Sequence, residues 1–224
     1  MQETIRILMT DDHPIIIEGY QNTLLATKKE SQDLIIDIAN NCDQSVDLMN
    51  KSIEDEKEYN ILFMDISLPP SSDGKLTSGE DLSKHARTIL PDAKIIILTM
   101  FNEPFRIHNI IKEINPEGFV VKSDLTSREL ASAFQAVVNN PPFYSTTVTS
   151  FLRKTHASEI EIDDIDRKIL YLLSQGIKTK SLTKHLGIST SSVEKRKKSL
   201  KEVFSVEDGQ DETLISEAKK MGFL

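Results

Sequence analysis

Short apolar segments rich in β-branched residues recur along the first half of the chain, and longer segments with a helical pattern separate them. The five apolar segments are Ile5–Thr10, Leu34–Ile38, Ile61–Met64, Ile95–Thr99 and Gly118–Val121. The third and fourth are apolar without alternation, which is typical of central parallel strands that helices cover on both faces. The pattern therefore predicts an α/β fold with a doubly wound, five-stranded parallel sheet.

The pattern becomes helical after the fifth predicted strand. Residues Thr126–Glu129 form a capping box that opens a helix, and the polar and proline-rich segment Asn139–Pro142 stops it. The first domain is therefore expected to span residues 1–140. Residues 141–160 show only a weak apolar period and one short helix near Ser145–Leu152, so we interpret them as a linker.

Residues 161–224 are predicted to form a small all-helical domain. A short helix over Lys180–Leu186 and a turn containing Gly187 lead to a second helix over Ser191–Phe204, and Ser189 is suited to cap that helix. At about 100° per residue, the second helix has one apolar face and one projecting basic face. This succession predicts a helix-turn-helix.

Charge is distributed unevenly along the chain. The net charge of -8 would argue against a nucleic-acid partner, but the acidic residues concentrate in 33–65 and basic residues cluster near the C-terminus.

A basic helix in the major groove can reach guanine acceptors and neutralise phosphates. Lys195 and Lys198 are the expected base readers. The full predicted DNA-contacting set is Ser191, Lys195, Arg196, Lys197 and Lys198.

Polar side chains follow four of the predicted strands. Asp11 and Asp12 follow the first strand, Asp65 follows the third, Thr99 ends the fourth and Lys122 follows the fifth. The carboxyl ends of parallel strands meet at one edge of such a sheet, which is where ligands bind. Three carboxylates together repel one another unless a divalent cation neutralises them, so Mg²⁺ is the expected ligand. A carboxylate placed beside such cations can attack a phosphoryl group.

These motifs resemble two known modules. Residues 4–140 resemble the receiver domains, of flavodoxin/CheY-like fold, of two-component response regulators, and in particular those of the NarL/FixJ family. The motifs that carry the resemblance are Asp11-Asp12-His13-Pro14, Asp65-Ile-Ser-Leu-Pro69, Leu98-Thr99-Met100 and Gly118-Phe-Val-Val-Lys122. The segments Asp163–Arg167, Gly176–Ser189, Ser192-Val193 and Met221–Leu224 carry a second resemblance. Through them, residues 160–224 resemble the LuxR-type helix-turn-helix, although Thr183, Ser192 and Arg196 depart from its usual residues.

The resemblance implies a transcription factor that a sensor histidine kinase phosphorylates on Asp65. It implies that Mg²⁺ is held by Asp11, Asp12, Asp65 and the backbone carbonyl of Ser67. It also implies that Lys122 contacts the phosphoryl group and that Thr99 and Phe119 change position in response. Phosphorylation is then expected to control homodimerisation and binding to double-stranded promoter DNA, with RNA polymerase as a further candidate partner.

Two other functions compete with this interpretation. A haloacid-dehalogenase-type phosphatase needs a second Asp two residues after the nucleophile as general acid, and here that residue is Ser67. The chain is therefore not expected to be an enzyme, beyond slow autodephosphorylation at most. The second alternative is a receiver whose C-terminal domain binds protein partners rather than DNA.

Two further features complete the prediction. Cys42 is the single cysteine, and no segment approaches the roughly 18 apolar residues that a membrane span needs, so a cytoplasmic protein without a membrane partner is expected. The segment Pro70–Gly79 is longer than the usual receiver loop. Its path beside Asp65 cannot be predicted.

Overall fold

The computed structural model describes residues 3–139, 141–157, 160 and 162–224. The chain divides into two compact units, Met1–Asn102 with Asn109–Val148, and Glu103–His108 with Thr149–Leu224. Several residues of the predicted domain limits lie outside the described residues, namely 1, 2, 140, 158, 159 and 161. The boundaries at 140 and 161 therefore stay a prediction.

The first unit contains a wholly parallel sheet in the order β2-β1-β3-β4-β5-β6. The strands are β1 (Glu3–Thr10), β2 (Gln32–Ala39), β3 (Ile61–Asp65), β4 (Lys94–Thr99), β5 (Gly118–Val121) and β6 (Phe143–Tyr144). All five predicted strands are present, and the doubly wound fold is confirmed. Every residue of β3 is buried, as its unbroken apolar run indicated.

The predicted strand number of five is wrong, because β6 adds a sixth strand beside β5. The amide of Phe143 donates to the carbonyl of Glu117 at 2.9 Å, and the amide of Ser145 donates to the carbonyl of Phe119 at 3.0 Å. A strand of two residues has no alternation to detect, and these residues lie in the segment that the sequence assigned to a linker.

Six helices follow the strands of the sheet along the chain. They are α1 (Pro14–Thr27), α2 (Cys42–Glu54), α3 (Gly79–Ile89), α4 (Pro104–Ile114), α5 (Ser127–Asn139) and α6 (Thr146–Ala157). The predicted capping box is visible at α5, where the amide of Glu129 donates to Thr126 Oγ1 at 3.1 Å. Across the part of the chain that the structure describes, none of the helices is both long and apolar enough to cross a membrane.

The second unit contains the predicted helix-turn-helix. Its helices include α7 (Asp164–Ser174), α8 (Thr179–Leu186), α9 (Thr190–Val203) and α10 (Asp211–Lys220). Gly187 ends α8 with a φ of 66°, a left-handed conformation that glycine adopts without steric cost. Ser189 caps α9 by accepting a hydrogen bond from the amide of Ser192. Apolar residues of all four helices, among them Val193 and Leu200 of α9, form one core.

Candidate functional sites

Three strand ends bring charged side chains together at the carboxyl edge of the sheet. Asp11 follows β1, Asp65 ends β3 and Lys122 follows β5. Both carboxyl residues are buried, with 2% and 1% of their surface exposed. The ammonium nitrogen of Lys122 lies 2.7 Å from Asp11 Oδ2 and 3.1 Å from Asp65 Oδ2. One lysine therefore bridges two buried carboxylates, and the predicted convergence is present.

The carboxylate of Asp65 is only partly compensated. Burial raises its pKa, the charge of Lys122 opposes that effect, and Asp11 adds to it, so that the pKa remains above its ordinary value. Within the described part of the chain, Asp65 Oδ1 is buried and has no hydrogen-bond partner. A buried acceptor without a partner is energetically costly, so this oxygen is suited to a cation.

Asp11, Asp12, His13 and Asp65 each place one ligand atom within 4.8 Å of the others. Three of the four are carboxylates, which are hard oxygen donors. Among the described residues, the Oδ1 atom of Asp65 has no hydrogen-bond partner. This donor set fits a hard divalent cation such as Mg²⁺. Ser67, whose carbonyl was predicted as a further ligand, is an exposed residue two positions after Asp65.

Sequence reasoning missed His13 as a member of this cluster. Its Nδ1 lies 2.7 Å from Asp12 Oδ1 and 3.1 Å from Asp11 Oδ1, and its amide donates to the same Asp11 oxygen at 3.0 Å. The hydrogen bond with Asp11 and the charge of Asp12 raise the pKa of His13. Adjacency to Asp12 was the only signal in the sequence, and it did not reveal which way the ring turns.

The two predicted switch residues are both fully buried. Thr99 ends β4, one position beyond Leu98, which pairs in register with Asp65 of β3. Its hydroxyl oxygen accepts a hydrogen bond from the amide of Phe101 at 3.0 Å. Phe119 lies in β5, where it pairs in register with Ile97. Thr99 therefore lies on the strand next to Asp65, and Phe119 lies one strand further.

The long loop after β3, residues 70–79, is held by hydrogen bonds to α2, within the loop itself and to α3. The amide of Ser72 donates to Asp43 Oδ2 of α2 at 3.0 Å. The amide of Ser71 donates to the carbonyl of Leu76 at 2.8 Å, which closes the loop on itself. The amide of Thr77 donates to Asp81 Oδ2 in the first turn of α3 at 2.9 Å. The loop is thus anchored to α2 and α3.

The predicted outer face of α9 is exposed in the structure. Ser191, Lys195 and Lys198 are all exposed, whereas Val193 and Leu200 are buried. The helical pattern therefore separated these residues correctly. Two lysines and a hydroxyl group on one exposed helix face form the surface that could meet a nucleic acid.

The other two basic residues of the predicted set turn toward their own domain. Arg196 Nη1 lies 2.7 Å from Asp163 Oδ2 and 2.8 Å from Asp166 Oδ1. Lys197 is only 6% exposed, and its Nζ lies 2.7 Å from Asp211 Oδ2. The helical pattern placed both on the flanks of α9, but it carries no information about which carboxylates lie beside them. Their placement argues against a direct contact with DNA.

A parallel doubly wound sheet with buried carboxylates and a lysine at its carboxyl edge, in one chain with a helix-turn-helix, is what the resemblance to two-component response regulators implies. No family model matches the chain. The oxygen regulatory protein NreC of Staphylococcus epidermidis is 22% identical over 206 residues, which cover 86% of this chain and 88% of NreC. The transcriptional regulatory protein RcsB of Escherichia coli is 25% identical over 207 residues, which cover 91% of this chain and 90% of RcsB.

Solved structures of RcsB share the fold. The RcsB response regulator of Salmonella typhimurium aligns with a TM-score of 0.60 at 23% identity, over 98% of this chain and 100% of that chain. A structure of two RcsB dimers bound to two parallel DNAs aligns with a TM-score of 0.63 at 24% identity, over 97% and 98%. The predicted resemblance to response regulators is therefore confirmed over nearly the whole chain.

Proposed function

We propose that this chain is a response regulator and transcription factor that a sensor histidine kinase phosphorylates on Asp65, in the cytoplasm. One observation carries the proposal. Lys122 bridges Asp11 and Asp65 at the carboxyl edge of the sheet, and Asp65 keeps one buried oxygen without a partner among the described residues. This oxygen of Asp65 can act as a nucleophile, and the ammonium of Lys122 lies beside it to neutralise a transferred phosphoryl group. A helix-turn-helix follows in the same chain.

The chemistry is a transfer between two residues. A carboxylate oxygen of Asp65 attacks the phosphorus of a phosphohistidine; a P–O bond forms, the P–N bond breaks and the imidazole leaves. Lys122 stabilises the negative charge on the transferring oxygens, since its ammonium already lies 3.1 Å from Asp65. Mg²⁺ held by Asp11, Asp12, Asp65 and the Ser67 carbonyl would supply further neutralisation. The hydroxyl of Ser67 is far too weak an acid to replace the carboxyl group that a phosphatase uses as general acid, so the product persists as an acyl phosphate.

Thr99 is the proposed sensor of the new charge. Its hydroxyl oxygen accepts from Phe101 in this structure, so its own proton is available to donate. A phosphoryl oxygen on Asp65 is an ionised acceptor, and hydrogen bonds to ionised acceptors are about twice as strong as neutral ones. We expect Thr99 to turn toward Asp65 and Phe119 of the neighbouring strand to follow.

We further propose that phosphorylation favours a homodimer that binds promoter DNA through α9. Ser191, Lys195 and Lys198 supply the exposed face, with the lysines reaching guanine acceptors and phosphates. RcsB of Salmonella enterica has been solved bound to the promoter rprA in the presence of phosphomimetic BeF3-. This relationship supports the same partner here, and RNA polymerase is a further proposed partner at the promoter.

Labelling with acetyl phosphate and Mg²⁺ tests the acceptor. We expect wild type and an Asp33→Asn control, which changes an exposed carboxylate on β2, to take up phosphate equally. Asp65→Asn should remain unlabelled, and only the labelled proteins should shift toward a dimer on size exclusion. Equal labelling of Asp65→Asn would refute the assignment of the acceptor.

A gel shift on genomic fragments tests the DNA partner. The double variant Lys195→Glu/Lys198→Glu should lose salt-dependent binding. The control Lys168→Glu/Lys219→Glu carries the same change in net charge at two exposed positions of other helices and should bind as wild type. If wild type binds no fragment at any salt concentration, phosphorylated or not, the result favours the alternative in which the C-terminal domain binds protein partners.

A further inference from the structure

The four lysines of α9 fall into two groups with different surroundings. Lys195 and Lys198 are exposed, whereas the side chains of Lys197 and Lys201 are 7% and 20% exposed. The two inward lysines reach the same carboxylate, that of Asp211. Lys197 Nζ lies 2.7 Å from Asp211 Oδ2, and Lys201 Nζ lies 2.7 Å from Asp211 Oδ1. One face of the basic helix is thus neutralised inside the protein.

This contact links three helices of the second unit. Asp211 is the first residue of α10, and Lys197 lies in the middle of α9. Lys197 also donates a hydrogen bond to the hydroxyl of Thr179, the first residue of α8, at 2.7 Å. Lys201 donates to the carbonyl of Gly209, just before α10, at 2.6 Å. The buried ammonium of Lys197 therefore ties α9 to the N-terminal ends of α8 and α10.

In this ion pair the side chain of Lys197 is 7% exposed and that of Asp211 is 30% exposed, and the cost of desolvating the lysine offsets much of what the pair adds to stability. Removing one partner leaves the other charge buried and uncompensated, whereas replacing both with uncharged groups is often tolerated. Burial alone would raise the pKa of Asp211, yet Lys197 and Lys201 hold it below its ordinary value, which agrees with a tight contact. A lysine already neutralised by Asp211 would also release no counterions from DNA.

We propose that Lys197 and Asp211 are positioning residues for DNA recognition. Their ion pair fixes the orientation of α9 about its axis, so that Lys195 and Lys198 face the base edges, and Lys197 itself does not touch DNA. The proposal rests on the proposed DNA binding. It assigns opposite roles to Lys197 and Lys198, two adjacent lysines that the sequence pattern treats alike.

The salt dependence of binding distinguishes these roles. The probes are a duplex that the full-length protein selects from a random-sequence pool and a scrambled duplex of equal length. Lys197→Met should lower the ratio of specific to non-specific affinity by about tenfold, the scale of one lost base contact, and leave the salt slope unchanged. Lys198→Met removes an exposed lysine that no carboxylate among the described residues neutralises, so it should reduce the slope by about 1 in addition to any loss of specificity. A reduced slope in Lys197→Met, or an unchanged affinity ratio, overturns the proposal.

Rescue separates positioning from loss of fold. Asp211→Asn should lower the affinity ratio as Lys197→Met does. The double variant Lys197→Met/Asp211→Asn should recover most of the ratio, because the buried ammonium of Lys197 is gone and Lys201, 20% exposed, keeps the carbonyl of Gly209 as its partner. If Lys197→Met does not fold by circular dichroism, the double variant decides, and failure to recover the ratio overturns the proposal. If wild type selects no duplex at all, the proposed function has failed and the inference falls with it.

Discussion

Gly79 lies directly against the backbone of Asp65. A Cβ atom at Gly79 would lie 1.8 Å from the carbonyl oxygen of Asp65 and 2.9 Å from the Cα of Ile66, so no side chain fits there without a backbone shift. The amide of Gly79 also donates to the carbonyl of Ile66 at 3.1 Å. The loop over residues 70–79 therefore returns to the acceptor residue, and α3 begins in contact with the end of β3.

Gly79→Ala is expected to disturb the acceptor site from the backbone. We expect the free energy of unfolding to fall by about 1–3 kcal/mol, the usual cost of overpacking, and labelling by acetyl phosphate to slow. Gly19→Ala is the matched control, because a Cβ there meets nothing within 4 Å. In the interior of α1 this change should raise the free energy of unfolding by about 0.5–1 kcal/mol.

Urea unfolding followed by circular dichroism measures both effects and suits a chain without tryptophan. Equal effects of the two substitutions would contradict the close approach.

Lys122→Met should destabilise the first unit, because it leaves the carboxylates of Asp11 and Asp65 buried without their shared cation. In the presence of a chelator, the free energy of unfolding is expected to fall by about 3 kcal/mol, because breaking a buried ion pair leaves the remaining charge without a partner. Lys84→Met is the control, since it removes a more exposed ion pair with Glu113 and should cost less than about 1 kcal/mol. A Lys122→Met protein as stable as the control would show that the bridge does not compensate these carboxylates.

Mg²⁺ should stabilise the folded protein through the acidic cluster. A ligand that binds only the folded state at about 100 times its dissociation constant adds about 2.7 kcal/mol. We expect thermal unfolding of wild type to move to higher temperature with MgCl2, compared with NaCl of the same ionic strength. Asp12→Asn should reduce that shift, whereas Asp73→Asn, which changes a loop carboxylate bound to Lys75, should preserve it. An undiminished shift in Asp12→Asn would remove Asp12 from the ligand set.

The sequence predicted those features that depend on a repeating pattern. The unbroken apolar runs located β3 and β4, and the residue after each strand then led to Asp11, Asp65 and Lys122. These residues were expected to lie close together because parallel strands bring their carboxyl ends to one edge of the sheet. Ser189 was likewise predicted as the cap of α9 from its residue type and its position before a helical pattern.

Features set by single long-range contacts could not be predicted in this way. Lys197 was assigned to DNA contact because a basic run gives no sign of a carboxylate 14 residues further along the chain. The short strand β6 has too few residues for a period. The path of the loop after Pro69 depends in part on Asp43 of α2, which accepts hydrogen bonds from Ser72. Each of these depends on tertiary contacts that no local pattern encodes.

Asp124 joins the turn after β5 to the start of α6. Its Oδ2 accepts hydrogen bonds from Ser145 Oγ at 2.6 Å and from the amide of Thr147 at 2.8 Å, and its Oδ1 accepts one from the hydroxyl of Thr147 at 2.8 Å. Lys122 lies in the same short 3₁₀ turn, Lys122–Asp124. Asp124 therefore acts as a helix cap supplied from outside α6, and it links that helix to the lysine of the acceptor site.

Asp124→Ala should lower the free energy of unfolding of the first unit by about 1 kcal/mol, the usual cost of losing a capping group. Burial raises the pKa of Asp124, but the hydrogen bonds from Ser145 and Thr147 outweigh it and hold the pKa below its ordinary value. A lowered pKa in the folded state means that the stabilisation is complete above the unfolded value of about 3.9 and is lost as the pH falls through the folded value. Ser123→Ala changes an exposed residue of the same turn and should be neutral at every pH.

Urea titrations of wild type, Asp124→Ala and Ser123→Ala between about pH 3 and 7 measure this dependence. The difference between wild type and Asp124→Ala should stay constant from about pH 5 to 7 and shrink as the carboxylate of wild type takes up its proton below about pH 4. A difference that persists unchanged at the lowest pH would mean that the ionised carboxylate is not what holds the start of α6. The three hydrogen bonds would then contribute only through the shape of the turn.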